Sequence, residues 1–366
     1  MKLLVTGGAG YIGGIVTALL LEAGHDVTVL DDCSTGHADA VPAGASFVQG
    51  GVDSAGDVLD PSYDGVLHFA AKSLVAESVR RPDRYWRGNV GGSLALLDAM
   101  RAHGVRRIVF SSTAATYGEP ATMPITEDTP PVPTNPYGAS KLAVDRMLEG
   151  EARAYDLAAV SLRYFNVAGA YGQLGERHDP ETHLIPNLLA VAAGEVEQAK
   201  VFGTDYPTRD GTAVRDYLHV VDLADAHLRA LDAAAPGRHL VCNLGTGAGS
   251  TVQEVLDAVR RVTGRPVPVT DNPRRPGDPP ALVASNERAR SELGWSPQRD
   301  LDTMVTDAWA FRLGQSEAAG GSAAAGGSAA AGGSAAAGGS AAAGGSAAAG
   351  GSAAAGGSAA AGGSAR

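Results

Sequence analysis

Cysteine is nearly missing from the 366-residue chain: only Cys33 and Cys242 occur. With no CxxC pair and no paired histidine spacing to go with them, we expect neither a disulfide framework nor a zinc site, and no metal. That usage fits a reducing, cytoplasmic compartment. Apolar residues never run to the roughly 18 consecutive positions a membrane-spanning helix needs. The opening Met1-Lys2-Leu3-Leu4-Val5 meets glycine too soon for a secretory leader, so we expect no membrane partner. Basic clusters are also missing. At a net charge of −11 there is no positive patch for nucleic acid phosphates, while single arginines could still hold a small anion. No G-x-S-x-G elbow, H-E-x-x-H or Walker loop occurs, which leaves hydrolase and nucleoside triphosphatase chemistry little support. Lysine is the scarce base: Lys2, Lys72, Lys141 and Lys200 are the only ones among 29 basic residues.

What is present falls into two expected domains and a tail. From Gly320 the unit GGSAAA repeats seven times, with no large apolar side chain after Leu313. A segment so poor in apolar residues cannot build a core, so 315–366 reads as a disordered, linker-like extension. The working protein is about residues 1–314.

Residues 2–6 read as a buried strand, Gly7-Gly8-Ala9-Gly10 as a turn, Tyr11 to Ala23 as a helix, and Val27 to Leu30 as a second strand closing on Asp31-Asp32. Strand, glycine turn, helix and strand open a Rossmann-type, doubly wound α/β fold with a parallel sheet. Gly7 and Gly10 let the backbone turn and approach a pyrophosphate at the helix N-terminus, and Gly13 lets helix and strand pack closely. An acid after the second strand makes this a dinucleotide site. Asp31 would accept from the ribose hydroxyls and repel a 2′-phosphate, favouring NAD. Gly65 to Phe69 is a third or fourth strand running into Ala70-Ala71, Tyr85 to His103 a helix, and Arg107 to Phe110 a strand ending at Ser111-Ser112-Thr113. Open parallel sheets bind ligands at such strand ends, so Thr113 is either a site hydroxyl or part of a small polar turn.

In Asn135-Pro136-Tyr137-Gly138-Ala139-Ser140-Lys141, Asn135 can cap a helix whose first position suits Pro136. Tyr137 and Lys141 then share a face at i and i+4. A cation beside a phenol favours the phenolate, a general base near neutral pH. An exposed tyrosine with a solvated lysine has the same spacing; the scarcity of lysine favours the site.

After the strand Ala159 to Tyr164 the alternation loosens, and 167–314 reads as a smaller α+β lobe covering the strand ends, with some exchange of elements with domain 1–166. Helices are expected at His183 to Ala193, His219 to Leu231, Thr251 to Thr263 and Asp300 to Leu313, and short strands at Lys200 to Phe202 and Leu240 to Asn243. Arg215 and Arg275 sit in loops, as phosphate ligands or as ordinary solvated charges.

Thr6-Gly7-Gly8-Ala9-Gly10-Tyr11-Ile12-Gly13, His68-Phe69-Ala70-Ala71, Ser111-Ser112-Thr113, Tyr137-Gly138-Ala139-Ser140-Lys141, Arg163-Tyr164-Phe165-Asn166 and Arg215-Asp216-Tyr217, in this order, resemble the extended short-chain dehydrogenase/reductases of the NAD-dependent epimerase/dehydratase family. The likeness runs from Met1 to about Leu313, and is strongest to members that interconvert UDP-glucose and UDP-galactose. It implies a bound NAD that is not consumed, with Tyr137 taking the proton of the sugar 4-hydroxyl, Lys141 lowering the phenol pKa, and Thr113 bonding the 4-oxygen. By position, the resemblance assigns Gly7, Gly10, Tyr11, Ile12, Gly13, Asp31, Asp32, Cys33, Ser34, Thr35, Gly36, Gly51, Val52, Phe69, Ala70, Ala71, Lys72, Ser73, Asn89, Lys141 and Phe165 to NAD. To a UDP-sugar it assigns Thr113, Tyr137, Asn166, His183, Leu184, Val201, Phe202, Arg215, Tyr217, Arg275 and Asp278. It also implies a homodimer through the helices around 85–103 and 136–150.

The sequence departs from the family pattern where Gly51 replaces the usual acid near adenine. Asp53 is the neighbour able to substitute, and we expect looser NAD retention. Lys72 stands one place early and Ser73 holds its usual position. Dehydratases of the family need an acid pair after the strand-end Thr, where this chain has Ala114-Ala115. A 4-epimerase of another UDP-sugar (N-acetylated, pentose or uronic acid) and a non-catalytic dinucleotide scaffold are the alternatives.

Overall fold

Apolar runs without alternation belong to strands covered on both faces. The computed structural model describes residues 1–275 and 277–326, with side chains through Gln315. In it the runs Lys2–Thr6 (β1), Asp26–Asp31 (β2), Gly65–His68 (β4), Arg107–Ser111 (β5) and Ala158–Tyr164 (β6), with the edge strand Ser46–Gln49 (β3), lie in one parallel sheet. A seventh strand, His239–Leu244, joins beyond β6, giving the order His239–Leu244, β6, β5, β4, β1, β2, β3. This is the expected Rossmann-type, doubly wound α/β sheet. From β1 the chain fills one side of the sheet and then crosses to the other through β4. A crevice therefore opens at the carboxyl ends of β1 and β4, where Thr6 pairs with His68.

Side chains alternate between two cores. Leu3 and Val5 of β1, Val27 and Val29 of β2 and Val160 and Leu162 of β6 face the first helix, Tyr11–Glu22, and the helix Val220–Ala233. Leu4, Leu30, Ile108 and Phe110 face the helices Gly92–His103 and Pro136–Tyr155. A third core joins Leu188, Val255, Val259, Met304 and Val305 from the helices Leu184–Ala193, Val252–Thr263 and Leu301–Gly326. Small sheets border it: Ala199–Phe202 pairs with Val269–Asn272, Asn166–Ala168 with Tyr217–His219, and Val214–Arg215 with Ser250–Thr251 and Ala281–Leu282.

Several elements differ from expectation. The strand Ser46–Gln49, exposed along its length at the sheet edge, was not expected, and it makes Gly65–His68 the fourth strand, one of the two positions read for it. The helix read as Tyr85 to His103 is helical throughout but starts at Pro82 and is not α-helical along its length: a π-helical turn, Trp86–Gly91, joins Pro82–Tyr85 to Gly92–His103. Gly88, Gly91 and Gly92 weaken regular helix there. The strand around Leu240–Asn243 was expected in the second lobe and belongs to the main sheet. The last helix passes Leu313 and continues to Gly326 through alanines, the strongest helix formers, where a disordered extension was expected from 315. The rest of the repeat tail, 327–366, lies outside the described residues. Among those described, no helix is long and apolar enough to cross a membrane.

Candidate active site

At the end of β1 the chain must turn where β4 also ends. Gly7 takes φ +80, and a Cβ there would stand 2.5 Å from the Ala70 nitrogen. A Cβ on Gly13 would stand 2.2 Å from the Gly7 carbonyl oxygen. Both glycines are thus required by close approach. Gly10 caps the first helix with no side chain, so the first-turn N–H groups point into the crevice as an anion site. Asp31 closes β2, its carboxylate accepting from Ala9 N (3.0 Å) and Cys33 N (2.8 Å). Burial raises its pKa above the usual carboxylate value against those two bonds.

These groups line a cleft of about 640 Å³. Of the residues assigned to NAD, all except Cys33 line it; Cys33 gives its N–H to Asp31 instead. The lining takes in Asp53, named above as the substitute near adenine, and also Leu30, Arg87, Ser111 and Tyr164, which the motifs did not single out as cofactor residues. A Cβ added at Gly51 would lie 2.4 Å from Asp53 Oδ1, so the Asp53 carboxylate occupies the space of a side chain at 51. Asn89 is spent on structure as well as lining. It accepts from Lys72 N (2.8 Å) and donates to Lys72 O and Ser140 Oγ (3.0 Å each), tying the loop after β4 to the helix Pro136–Tyr155. Narrow glycine walls, open helix N–H groups and a buried acid fit a dinucleotide.

Tyr137 stands at the inner end. Asn135 Oδ1 accepts from Gly138 N (2.9 Å) and Pro136 occupies the first turn, as the sequence predicts. Thr113 Oγ1 accepts from Ala115 N at 3.1 Å, and Thr113 and Tyr137 line the same cleft. Burial raises the Tyr137 pKa, and the Thr113 side chain works against that rise. Lys141 lines the same cleft. Its ammonium donates to the Ser111 carbonyl (2.8 Å) above the Phe110 ring, and burial brings its pKa down to about 7 against the pull of Asp145. One turn on, Asp145 Oδ2 accepts from Arg163 Nε (3.0 Å) and Nη2 (2.8 Å), both side chains being buried, which fastens this helix to β6.

The residues assigned to the sugar nucleotide divide. Thr113, Tyr137, Asn166 and His183 line the cleft; Leu184, Val201, Phe202, Arg215, Tyr217, Arg275 and Asp278 lie beyond its lining. Arg215 pairs with Asp278, and Arg275 covers the Phe202 ring at 4.0 Å, so these four form one group. Val201 and Tyr217 are buried, Tyr217 in the third core with Leu184 at its margin. Glu176, His178, Glu181 and His183 converge at the cleft mouth. Glu176, His178 and Glu181 are not among the residues expected from the sequence, although His-x4-His flanked by glutamates is a usable signal.

Residues 3–245 match the model of the NAD dependent epimerase/dehydratase family. The chain is 58% identical over 314 residues to the UDP-glucose 4-epimerase of Corynebacterium glutamicum, covering 85% of this chain and 95% of that protein. It superposes on UDP-glucose 4-epimerase from Brucella ovis in complex with NAD (TM-score 0.81, 45% identity, 85% of this chain and 98% of that one). A similar match is the Bifidobacterium longum enzyme with NAD+ and UDP (TM-score 0.81, 37% identity, 86% and 99%). With its glycine cradle, Asp31 and the Tyr137 helix in place, the chain belongs to the NAD dependent epimerase/dehydratase family.

Proposed function

We propose that the protein is a UDP-glucose 4-epimerase, interconverting UDP-glucose and UDP-galactose through a transient 4-keto sugar. The observation that carries this reading is that Thr113 and Tyr137 line one cleft with the glycine turn and Asp31, with Ala114-Ala115 rather than carboxylates after Thr113. An acid there would be needed to expel water; its lack leaves oxidation and re-reduction at C4. Bound NAD supplies the acceptor that takes the C4 hydride and gives it back in the same turnover.

The rest falls to this chain's side chains. Tyr137 takes the proton of the 4-hydroxyl through Thr113, which bonds the 4-oxygen, and returns it once the sugar has turned. Lys141 supports the phenolate jointly with the cofactor's positive charge and holds the ribose beside it. Asp31 accepts from the adenosine ribose, and the Gly7–Gly13 turn receives the cofactor diphosphate. Asn166, His183, Arg215 and Arg275 bind the sugar-nucleotide diphosphate, Leu184, Val201 and Phe202 border the uracil, and Tyr217 and Asp278 position the arginines. In this scheme 1–166 holds NAD and 167–314 the UDP-sugar.

Val75, Val79, Trp86 and Leu94 are all exposed on the segment before and within the Gly92–His103 helix, and a second copy covering that face is the partner we assign. A homodimer by sedimentation supports this. The two unpaired cysteines suit a cytoplasmic enzyme. The central test is incubation without added NAD with UDP-galactose, UDP-glucose and their N-acetyl forms, separating products by epimer. Interconversion of the first two is expected. If none is converted the reading fails, and turnover of only the acetylated pair reassigns the substrate.

A further inference from the structure

Between Gly169 and the helix Leu184–Ala193 the chain forms a strap along the cleft. It is fastened at its start by Tyr11, whose hydroxyl donates to Gly169 O at 2.6 Å. In its middle, Arg177 grips Asp39 through both guanidinium nitrogens (2.9 and 2.7 Å), and Arg177 O faces His37 Nε2 at 3.2 Å. At its end four side chains turn toward one point. His178 Nδ1 and His183 Nδ1 lie 2.8 and 2.7 Å from Glu176 Oε1, and His183 Nδ1 lies 2.8 Å from Glu181 Oε1. All four ligand atoms fall within 4.8 Å of one another. Backbone N–H groups of Thr182 and His183 hold Glu181 Oε1 at 2.7 Å each, so that carboxylate is positioned before anything binds.

We propose that Glu176, His178, Glu181 and His183 form a binding site for a divalent transition-metal ion of the zinc class, which fastens the strap over the cofactor cleft. Two imidazole nitrogens and two carboxylate oxygens are a borderline donor set that suits zinc or cobalt better than calcium or magnesium, which take oxygen ligands in greater number. Tetrahedral zinc with bonds of about 2.1 Å sets its ligand atoms about 3.4 Å apart. That lies between the 2.7 Å of the closest pair and the 4.8 Å limit of the whole set, so the ion enters with small side-chain shifts. Four protein donors make a closed, structural site and not one that presents a water for reaction. The ion would hold His183 and the strap in one position, at the lip where Tyr11 and Asp31 line the same cleft. This inference does not depend on which UDP-sugar is turned over.

The test uses the full chain, dialysed against chelator and then titrated with Co2+ by visible absorption and with Zn2+ by calorimetry. The expected result is one ion per chain, with the intense absorption of tetrahedral cobalt and a rise in Tm. His178→Gln and Glu181→Gln, made singly because each keeps a polar group in place, should each weaken binding by more than the roughly 100-fold that loss of a group merely supporting a ligand costs. His103→Gln, outside the cluster, should bind as the parent does. Absence of stoichiometric binding, or binding that survives both cluster variants, overturns the proposal and leaves the four residues as an ion-pair clasp.

Discussion

The Lys141 ammonium donates to the Ser111 carbonyl oxygen, 2.8 Å away at the carboxyl end of β5. Burial there brings its pKa from 10.5 to about 7. In the unfolded chain the lysine keeps its proton up to about pH 10. Between pH 7 and 10.5, therefore, the unfolded state binds more protons, and the buried lysine's cost to stability is relieved as pH rises. In cofactor-stripped protein, urea unfolding at pH 7.5 and 9.5 should show the parent gaining on Lys141→Met, by at most about 1.4 kcal/mol per pH unit. Equal slopes would count against a depressed lysine.

Tyr137→Phe should lower kcat by at least the roughly 100- to 10,000-fold attributed to a positioned proton acceptor, with NAD content unchanged. Thr113→Val should lower kcat while Thr113→Ser, which keeps the hydroxyl, retains most of it. Steady-state rates with UDP-galactose decide this; a Tyr137→Phe protein that keeps most of its activity refutes the assigned chemistry.

Gly51 leads us to expect loose cofactor retention, and the Asp53 carboxylate, which stands where a side chain at 51 would be, is the group placed to serve in its stead. Denatured protein should release less than one NAD per chain if Gly51 decides retention, and close to one if Asp53 takes its place. Asp53→Asn should release less, a lost charged hydrogen bond being worth about 1.5–3 kcal/mol. Equal release from both proteins would show that adenine is held by the backbone.

Gly13→Ala drives a methyl into the backbone carbonyl of Gly7, where no flexible side chain can give way. A loss of about 1–3 kcal/mol is expected from such overpacking, together with lost NAD. Thermal melts with and without cofactor measure both.

The elements that position the cofactor are legible because their signals are local. Buried strands, a glycine turn and the Asn135-Pro136 cap each announce themselves within a few residues. Ser46–Gln49 is not legible in this way: an exposed edge strand has neither a continuous apolar run nor a buried face. His239–Leu244 reads as a strand, but its place beside β6 rests on long-range pairing, from His239 with Ala159 to Leu244 with Tyr164. The Ser111 partner of Lys141 is not legible for a related reason. Helical spacing says which residues share a face, whereas burial and the Ser111 carbonyl decide what the ammonium does.

The buried pair of Asp145 and Arg163 ties the helix that carries Tyr137 to the central sheet. The strap after Gly169 is instead held at separate points, by Tyr11 and by Asp39. In the proposed reaction the tied helix would return the same phenol to the same place in both half-reactions, so one proton acceptor would serve both faces of the ring.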